Sequence, residues 1–349
     1  MDSSRELMDA AATADPAVRG IKHRDKMQAV IQDRYGPLEN VLKLEVVDRP
    51  TVGKGEALVR VRSAVVSGTD WHLLRGLPYV ARIVTGLHKP KNRVPGLEIA
   101  GTVEAVGGSV GSLEEGDEVF GWADGSFAEY VSVPVDQLSP KPANLSLVEA
   151  AVVPIAGFTA LQGVRLARIQ PGQKVLITGA SGGVGIYAVQ LAKMHGAEVT
   201  GVCSAAKMDM VRSLGAEHVI DYRKEHFTES GERYDALIDV YGNPSLSDCR
   251  RALKPGGTLV LIGGTGGKWF MGVDRWFRAL LMAPFLRLKV RPLIHRDSLE
   301  DLVTIKGLIE AGRLTPIVDK SFPLSGVAEA VEFVREGRAR GQVAIDVAG

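Results

Sequence analysis

Short apolar segments separated by turn-forming residues occupy the chain from Met27 to about Lys141. Apolar residues cluster in stretches such as Ala57–Val61, Ile99–Val106 and Phe127–Val133, with glycine and proline in the intervals between them. Segments of this length, bounded by residues that favour turns, are typical of β-strands. The pattern therefore predicts a compact β-rich domain in this part of the chain.

A different pattern follows, in which short apolar runs alternate with longer stretches of helical periodicity. The predicted elements are a helical stretch Val148–Val164 broken at Pro154, strand 174–178, a helix to His195, strand 198–203, helix Lys207–Leu214, strand Val219–Ile220, strand Ala236–Val240, helix Ser245–Leu253, a turn at Lys254–Gly257 and strand Thr258–Gly263. This alternation implies a parallel sheet with helices on both faces. Helices around Leu299–Ala311 and Gly326–Gly337 come next, and we expect the last strand, Gln342–Val347, to return to the β-rich domain.

A glycine-rich turn joins the first strand of the second region to its first helix. The segment Lys174–Lys193 reads KVLITGASGGVGIYAVQLAK. Gly179 permits a tight turn, Gly182 lets main-chain N–H groups approach a pyrophosphate, and Gly185 lets the helix pack close to the strand. Because the N-terminus of a helix attracts anions, this strand–turn–helix unit predicts a dinucleotide-binding site. A tight turn that binds no ligand is the alternative.

Composition and charge limit the number of domains and the kinds of molecule that the protein is expected to bind. The chain has 349 residues, of which 45% are hydrophobic, and this is enough for roughly two domains with large hydrophobic cores. A formal net charge of +1 favours neither nucleic acid nor an anionic membrane as a partner. The two cysteines, Cys203 and Cys249, exclude a disulfide framework and a four-cysteine zinc site, and they fit a reducing, cytoplasmic compartment. No apolar run is long enough to span a bilayer, and we expect residues 1–26, which lack the apolar core of a secretory signal, to form a flexible tail.

The segment Lys268–Pro292 combines aromatic and aliphatic residues with several arginines. A basic amphipathic helix of this kind is able to lie on a membrane surface. A helix that covers a substrate cleft or a subunit interface is the alternative, and we favour it because Pro284 interrupts the run.

The end of the second strand of a dinucleotide-binding fold selects between NADH and NADPH. A carboxylate there binds the ribose 2′-hydroxyl of NAD and repels a 2′-phosphate. Here Ser204 follows the strand, the nearest acid is Asp209 in the helix, and Lys207 supplies a positive charge. Two charge-assisted contacts of about 1.5–3 kcal/mol each would favour the phosphorylated cofactor by roughly 100-fold or more. We therefore predict NADPH as the cofactor, and a solvated Lys207 is the alternative.

Several further motifs occur in a fixed order along the chain. They are Asp70–Gly76 (DWHLLRG), Pro95–Gly101 (PGLEIAG), Gly116–Gly121 (GDEVFG), Gly125–Tyr130 (GSFAEY), Gly157–Gln162 (GFTALQ) and Leu214–Tyr222 (LGAEHVIDY). Together with the glycine turn they resemble the zinc-independent branch of the medium-chain dehydrogenase/reductases, the quinone oxidoreductase-like enzymes. The resemblance implies an α/β fold with a GroES-like β-rich catalytic domain, residues 27–150 and 296–349. A Rossmann domain with a doubly wound parallel sheet, residues 151–295, would be inserted into it, with the active site between the two.

The resemblance also implies a set of cofactor-binding residues. They are Thr159, Ser181, Gly182, Gly183, Val184, Ser204, Lys207, Tyr222, Gly263 and Gly264. Those from Ser204 to Tyr222 resemble residues around the 2′-phosphate and adenosine, although packing against the sheet edge is an alternative for Tyr222. Thr159 and the two late glycines resemble residues near the nicotinamide. Arg338 or Arg340 is expected to reach the cofactor from the C-terminal segment unless both face solvent.

The zinc-containing relatives bind catalytic zinc through a cysteine, a histidine or glutamate, and a second cysteine. The matching positions here hold Ser67, Leu97 and Ala156. Leucine and alanine offer no donor atom, and a neutral serine hydroxyl is a poor zinc ligand. The histidines are scattered along the chain without ligand spacing. The sequence therefore predicts that no metal is bound.

A zinc-free site favours acceptors that tolerate added electron density without a Lewis acid, such as quinones and α,β-unsaturated carbonyl compounds. Ser67 and Tyr79 are the candidate hydrogen-bond donors to the developing oxyanion, with a polar lining residue and a surface aromatic as their respective alternatives. We expect Asp70 and Glu98 to fix loops by hydrogen bonding rather than to transfer protons. The sequence supports no Ser-His-Asp arrangement, and water is the simplest proton source.

The predicted function is a zinc-independent, NADPH-dependent reductase of a quinone or an α,β-unsaturated carbonyl substrate. A reductase of enoyl thioesters or aldehydes is one alternative, and a non-catalytic NADPH-binding protein, such as a sensor or a crystallin-like protein, is another. We expect neither nucleic acid binding nor stable insertion into a membrane. A homodimer is left open, with pairing of sheet edges through Thr258–Ile262 as one mode.

Overall fold

The computed structural model describes residues 26–108, 113–242, 244–264, 269 and 273–348. The predicted flexible tail, apart from its last residue, and part of the segment 268–292 lie outside these ranges. The strands are β1 (Lys26–Gln32), β2 (Leu42–Asp48), β3 (Glu56–Val66), β4 (Glu98–Val106), β5 (Glu118–Trp122), β6 (Tyr130–Pro134), β7 (Leu138–Pro140), β8 (Lys174–Thr178), β9 (Glu198–Cys203), β10 (His218–Asp221), β11 (Tyr234–Asp239), β12 (Leu253–Leu261), β13 (Lys289–Pro292), β14 (Val318–Pro323) and β15 (Gln342–Asp346). The helices are α1 (Leu38–Val41), α2 (Gly68–Leu74), α3 (Arg82–Thr85), α4 (Leu147–Ala151), α5 (Pro154–Ala167), α6 (Gly183–Met194), α7 (Met208–Ser213), α8 (Leu246–Ala252), α9 (Val273–Leu286), α10 (Leu299–Glu310) and α11 (Val327–Arg335).

The β-rich part of the chain forms a largely antiparallel sheet. Its strands run in the order β14-β15-β3-β4-β5-β7, and β6 pairs with β3. Within β3 the side chains of Ala57, Val59 and Val61 are buried, whereas Arg60 between them is exposed. This alternation is the one that a strand with one face on the core requires. The last strand, β15, pairs with β3, so its predicted return to this sheet is confirmed.

The second sheet is parallel, with the strand order β10-β9-β8-β11-β12-β13. The strand order reverses between β8 and β11. From β8 the chain adds β9 and β10 on one side, and it then adds β11, β12 and β13 on the other side. Val175, Leu176 and Ile177 in β8 are all fully buried, because helices cover both faces of the sheet. The predicted combination of a GroES-like sheet with a doubly wound parallel sheet is confirmed.

One prediction about β12 is wrong. The segment Thr258–Ile262 does not form a sheet edge, because β13 pairs with β12 on its outer side. The predicted turn at Lys254–Gly257, by contrast, is present. These residues lie within the bounds of β12 but have no partners in β11, whose register moves from Tyr234 opposite Leu253 to Ala236 opposite Thr258, and Gly256 has a left-handed φ of +79°.

The proline at position 284 does not break the helix that the apolar run predicts, because α9 continues from Val273 to Leu286 with Pro284 near its end. Arg275 on this helix pairs with the fully buried carboxylate of Asp239. Phe277 and Leu281, by contrast, are 71% and 75% exposed. The inner side of α9 therefore packs against the parallel sheet, and part of its apolar side faces solvent.

The segment of α4 and α5 connects the two sheets. Helix α4 packs against β3 and β4, whereas α5 packs against α6, β11 and β12. Pro154 separates the two helices as predicted, and it takes the first position of α5, where its missing N–H costs nothing. The division of the chain into domains at about residues 150 and 296 stays a prediction. Within the described ranges, no helix combines the length and apolar character that crossing a bilayer requires.

Candidate active site

The glycine turn lies at the carboxyl end of β8, beside the point where the strand order reverses. Gly179 adopts a left-handed φ of +66°, and α6 begins at Gly183 without a side-chain cap from Gly182. A Cβ atom on Gly185 would lie 2.1 Å from the carbonyl oxygen of Gly179, so a larger residue does not fit there. The first N–H groups of a helix have no acceptor within the helix, and an uncapped end offers them to an anion. The predicted turn residues Ser181, Gly182, Gly183 and Val184 form this end of the helix.

A C-terminal loop, residues 337–341, lies against the glycine turn. The N–H of Gly341 donates to the carbonyl oxygen of Ser181 at 3.0 Å. The ammonium group of Lys207 donates to the carbonyl oxygen of Gly337 at 2.8 Å and to that of Ala339. Lys207 is therefore not a solvated helix residue, and two of its three N–H donors hold the loop.

The surroundings of Ser204, at the end of β9, carry several positive charges. Burial lowers the pKa of Lys207, and the nearby cations Arg340 and Arg223 add to that effect. Tyr222 lies beside this strand end, because its N–H donates to the carbonyl oxygen of Cys203 at 3.2 Å. Its side chain is 58% exposed, with the Arg223 guanidinium 5.8 Å from the ring centre. Tyr222 is thus available to a ligand rather than packed against the sheet edge.

The two C-terminal arginines differ in their surroundings. Arg338 pairs with Glu336 at 2.8 Å and lies over the ring of Phe333, 4.7 Å from its centre. Arg340 acts electrostatically on Lys207, and its N–H donates to the Asp319 carboxylate at 3.1 Å. Arg340 therefore lies near Lys207 and Arg223, in the positively charged surroundings of the end of β9.

Asp239 organises the carboxyl ends of the central parallel strands, and the sequence reasoning missed it. Its fully buried carboxylate accepts the Thr178 hydroxyl at 2.6 Å and the N–H of Gly242 at 2.9 Å. An acid at the end of the apolar run ALID was the available signal. The backbone after β12 also packs closely against the end of β11. A Cβ atom on Gly263 would lie 2.0 Å from the carbonyl oxygen of Val240. Gly263 and Gly264 therefore follow β12 at the same edge of the sheet as the glycine turn.

Ser67 precedes α2 and is bonded to Asp70. The carboxylate accepts the Ser67 hydroxyl at 2.9 Å and the Ser67 N–H at 2.7 Å. Asp70 is only 3% exposed, and this burial raises its pKa to about 6. Since a serine hydroxyl carries one proton, Ser67 donates to another acceptor only if it releases Asp70. The expected loop-fixing role of Asp70 is confirmed.

Glu98, the first residue of β4, joins the antiparallel sheet to α5. It is 2% exposed, and its Oε2 accepts the N–H of Ile155, in the first turn of α5, at 2.7 Å. Burial raises the pKa of Glu98 to about 8, and the charges of Asp70 and Asp297 contribute in the same direction. The expected loop-fixing role of Glu98 is confirmed, and at neutral pH its carboxyl group is mostly protonated.

Tyr79 opens a short 3₁₀ helix, Tyr79–Ala81, and is partly buried. Its ring meets the ring of Trp269 edge to face, with 5.3 Å between the centres, and the Arg82 guanidinium lies 4.9 Å from it. Among the residues that the structure describes, no hydrogen bond joins Tyr79 to Ser67 or Thr159. The two predicted catalytic residues are thus not brought together by a direct contact.

The sequence did not predict a hydrogen-bonded group formed by Thr159, His295 and Asp297. The Thr159 hydroxyl lies 3.1 Å from Nδ1 of His295, and Nε2 of His295 lies 2.8 Å from Oδ1 of Asp297. The Thr159 hydroxyl also donates to the carbonyl oxygen of Ile155 at 2.7 Å, which places it next to the residue held by Glu98. The sequence supported no Ser-His-Asp arrangement, and the structure instead joins a threonine hydroxyl, an imidazole and a carboxylate. The spacing His-x-Asp directly after a strand of the parallel sheet was the signal for it.

The residues at the positions of a catalytic zinc site do not fit a metal. Ser67 is bonded to Asp70, and Leu97 and Ala156 have no donor atom in their side chains. No three residues of the types His, Cys, Asp or Glu come together as a metal site in the described part of the chain. Cys203 and Cys249 are both buried, and burial raises the pKa of their thiols to about 11 and about 12.

Two family models match the chain. Residues 53–143 match the alcohol dehydrogenase GroES-like domain, and residues 214–345 match a model described as zinc-binding dehydrogenase. The first match covers most of the antiparallel sheet, and the second extends from the parallel sheet into β15.

Individual relatives match over nearly the whole chain. The 2-methylene-furan-3-one reductase of Solanum lycopersicum is 31% identical over 356 residues, which cover 98% of this chain and 84% of the relative. The chloroplastic NADPH-dependent alkenal/one oxidoreductase of Arabidopsis thaliana is 31% identical, with 92% of this chain and 79% of the relative covered. Among solved structures, the quinone oxidoreductase from Coxiella burnetii superposes with a TM-score of 0.83 at 29% identity, covering 92% of this chain and 99% of that one.

Proposed function

This chain belongs to the medium-chain dehydrogenase/reductase family, and from that premise we propose that it is an NADPH-dependent oxidoreductase that reduces a quinone or an α,β-unsaturated carbonyl compound. The relatives named above act on acceptors of this kind. The observation that carries the proposal is the uncapped glycine turn, which lies at the reversal of the strand order and faces residues contributed by the antiparallel sheet. Ligands of doubly wound sheets bind at that point.

The residues present fit a bound NADPH. The main-chain N–H groups of Ser181, Gly183 and Val184 would hold the pyrophosphate, and Gly182, whose own N–H donates to the carbonyl oxygen of Gly179 at 3.0 Å, would leave the approach free of a side chain. Ser204, Lys207 and Tyr222 would hold the 2′-phosphate end, with Arg340 as an additional cation. Thr159, Gly263 and Gly264 would lie at the nicotinamide end. When it is bound, NADPH supplies the hydride.

The protein's own contribution is to hold the acceptor near the hydride donor and to stabilise charge on its oxygen. Positioning two reactants in a site that excludes water accounts for a large share of such rate enhancements. Ser67 and Tyr79 remain the proposed donors from the antiparallel domain. Glu98, protonated at neutral pH, adds no negative charge that would oppose an oxyanion.

We also propose that the reaction is independent of zinc, although one matching family model carries a zinc-binding description. The support is the chemistry of the donor set, in which two of the three positions have no donor atom and the third is bonded to Asp70. Metal analysis of the purified protein, together with activity before and after treatment with a chelator, tests this. Stoichiometric zinc whose removal abolishes activity would contradict the proposal.

The experiment for the proposed function is stopped-flow oxidation of NADPH with four acceptors, namely a small quinone, a 2-alkenal, an enoyl thioester and a saturated aldehyde. We expect rapid reduction of the first two and little reduction of the saturated aldehyde. A parallel measurement of NADPH fluorescence on titration with protein reports binding without turnover. Binding without acceleration of any acceptor would indicate a non-catalytic NADPH-binding protein, and preference for the thioester or the saturated aldehyde would replace the substrate class.

A further inference from the structure

A chain of three polar side chains leads from the buried side of α5 to the protein surface. Thr159 is 8% exposed, whereas the side chains of His295 and Asp297 are 32% and 44% exposed. The hydroxyl and the imidazole are 3.1 Å apart, and the imidazole and the carboxylate are 2.8 Å apart. These distances are short enough for a continuous hydrogen-bonded path between the interior and solvent.

The loop that carries the imidazole is held against α5 by a reciprocal contact. The Gln162 side chain donates to the carbonyl oxygen of Arg296 at 2.7 Å and accepts the N–H of Arg296 at 3.2 Å. The ring of Phe158 stacks beside His295, with 6.3 Å between the ring centres. His295 itself follows the end of β13, at the carboxyl edge of the parallel sheet. The imidazole is thus held in a defined place at the edge where the cofactor is proposed to bind.

Hydrogen-bond accounting assigns the protons along this chain. The Thr159 hydroxyl has one proton, and its shorter contact is the 2.7 Å bond to the carbonyl oxygen of Ile155. Nδ1 of His295 is then the donor to the Thr159 oxygen, and Nε2, which faces the Asp297 carboxylate, is a donor as well. The Asp297 carboxylate lies beside the imidazole. In this arrangement the ring has a carboxylate on one side and, on the other, a hydroxyl that can take its Nδ1 proton.

We propose that Thr159, His295 and Asp297 deliver the proton that completes the reduction, with Thr159 contacting the acceptor oxygen and His295 and Asp297 acting through it. This inference rests on the proposed function. Hydride addition to the β-carbon of an unsaturated carbonyl compound moves an electron pair onto the carbonyl oxygen. That oxygen takes the hydroxyl proton of Thr159, while the Thr159 oxygen takes the Nδ1 proton of His295, and the immediate product is an enol. The enol then tautomerises in water, where its α-carbon gains a proton and its oxygen loses one, which gives the saturated carbonyl compound. The imidazole keeps its Nε2 proton, hydrogen-bonded to Asp297, and bulk water returns one proton to Nδ1 after the product leaves.

The first test uses the cofactor-free protein with ¹⁵N-labelled histidine, and it reads out protonation by NMR. We expect a hydrogen-bonded Nδ1–H signal that disappears in His295→Gln and exchanges faster with water in Thr159→Val. An imidazole without an Nδ1 proton at neutral pH would overturn the assignment. Because this measurement needs neither cofactor nor substrate, it stands even if the proposed function fails.

The second test separates kcat from KM and compares rates in H₂O and D₂O. We expect Thr159→Val and His295→Gln to lower kcat by about 10²-fold, the lower end of general acid catalysis, with little change in KM. Added imidazole should restore part of the rate in a His295→Ala variant, and Thr159→Ser should retain most of it. His218→Gln is the matched control, since His218 forms a similar pair with Glu198 at 3.4 Å on the opposite edge of the sheet.

These experiments distinguish a failure of the proton-delivery proposal from a failure of the proposed function. If the wild-type protein reduces quinones or enones, but Thr159→Val and His295→Gln keep full kcat and the same solvent isotope effect, the proton-delivery chain is wrong and the function stands. If the wild-type protein reduces none of the acceptors, the proposed function is wrong. NADPH binding by fluorescence should be unchanged in His295→Gln, and a loss of binding would assign the residue to the cofactor site instead.

Discussion

Glu98 provides the sharpest test of the electrostatics at the junction between the two sheets. Its carboxyl group is 2% exposed and accepts one main-chain N–H, from Ile155, at 2.7 Å. Burial raises its pKa from 4.5 to about 8. The folded protein therefore holds a proton on Glu98 over a pH range in which the unfolded chain has already released it. The contribution of Glu98 to stability is therefore fully present below about pH 4.5 and is lost as the pH rises towards 8.

The size of this effect follows from the same values. At 1.36 kcal/mol for each pKa unit, a rise from 4.5 to about 8 corresponds to a loss on the order of 5 kcal/mol across the range. Glu98→Gln keeps an oxygen that accepts the Ile155 N–H and removes the titration. Its free energy of unfolding should therefore fall much less with pH than that of the wild type, so that the difference between them grows in favour of the variant up to about pH 8.

The assay is urea unfolding of both proteins at a series of pH values between about 4.5 and 8.5. Asp70, whose pKa burial raises to about 6, titrates in both proteins, so most of its effect cancels in the comparison. Glu115→Gln, at an exposed position, is the control and should leave the pH profile unchanged. Parallel curves for the wild type and Glu98→Gln would show that the Glu98 carboxyl group ionises in the folded protein as it does in the unfolded chain, and would refute the reasoning.

Three further predictions concern the cofactor site and its support. Ser204→Asp should lower the ratio of catalytic efficiency with NADPH to that with NADH by roughly 100-fold, because a carboxylate repels the 2′-phosphate; an unchanged ratio argues against this placement of the phosphate. Gly185→Ala should lower the urea midpoint of unfolding, since its Cβ would lie 2.1 Å from the Gly179 oxygen, whereas Gly182→Ala, with 3.4 Å to the same oxygen, should unfold near the wild-type midpoint and weaken only NADPH binding, because its Cβ narrows the approach to the pyrophosphate. Equal urea midpoints for the two variants would contradict the packing. Tyr187→Phe should destabilise the protein by about 0.5–1.5 kcal/mol in urea unfolding, the net contribution of one hydrogen bond, because the carbonyl oxygen of Val152 loses the Tyr187 hydroxyl at 3.1 Å but keeps the Gln342 side chain at 3.0 Å; a loss of several kcal/mol would contradict this sharing.

The strands and helices of the parallel sheet were predictable because their signals are local. The apolar run Val175–Ile177 and the periodic segment after the glycine turn each require only their own residues to indicate burial. The bounds of β8 and β9 agree with the prediction for that reason. The error at β12 has the opposite origin. Whether Thr258–Ile262 is an edge depends on β13, a short strand that follows a long helix and carries little apolar signal.

The proposed cofactor residues came from motifs that are also local, in which glycines such as Gly179 and Gly185 have a backbone reason to be glycine. The residues that contact them were not predictable in this way. The contact of Lys207 with the loop 337–341 joins residues about 130 positions apart, which no local pattern encodes. Pro284 was misread because a proline close to the end of a helix removes few hydrogen bonds, so α9 continues past it.

By itself, the sequence determined the two kinds of sheet, the glycine turn and the absence of donor atoms at two zinc positions. These properties reside in the residue types and in spacings of a few residues. Only the tertiary structure decided that Glu98 accepts the N–H of Ile155, that Asp239 ties the end of β8 to the residues after β11, and that Thr159, His295 and Asp297 form one hydrogen-bonded chain. Each of these arrangements depends on distances between segments far apart in the chain. The packing of the sheets and helices sets those distances, and with them the burial that shifts the pKa of a carboxyl group.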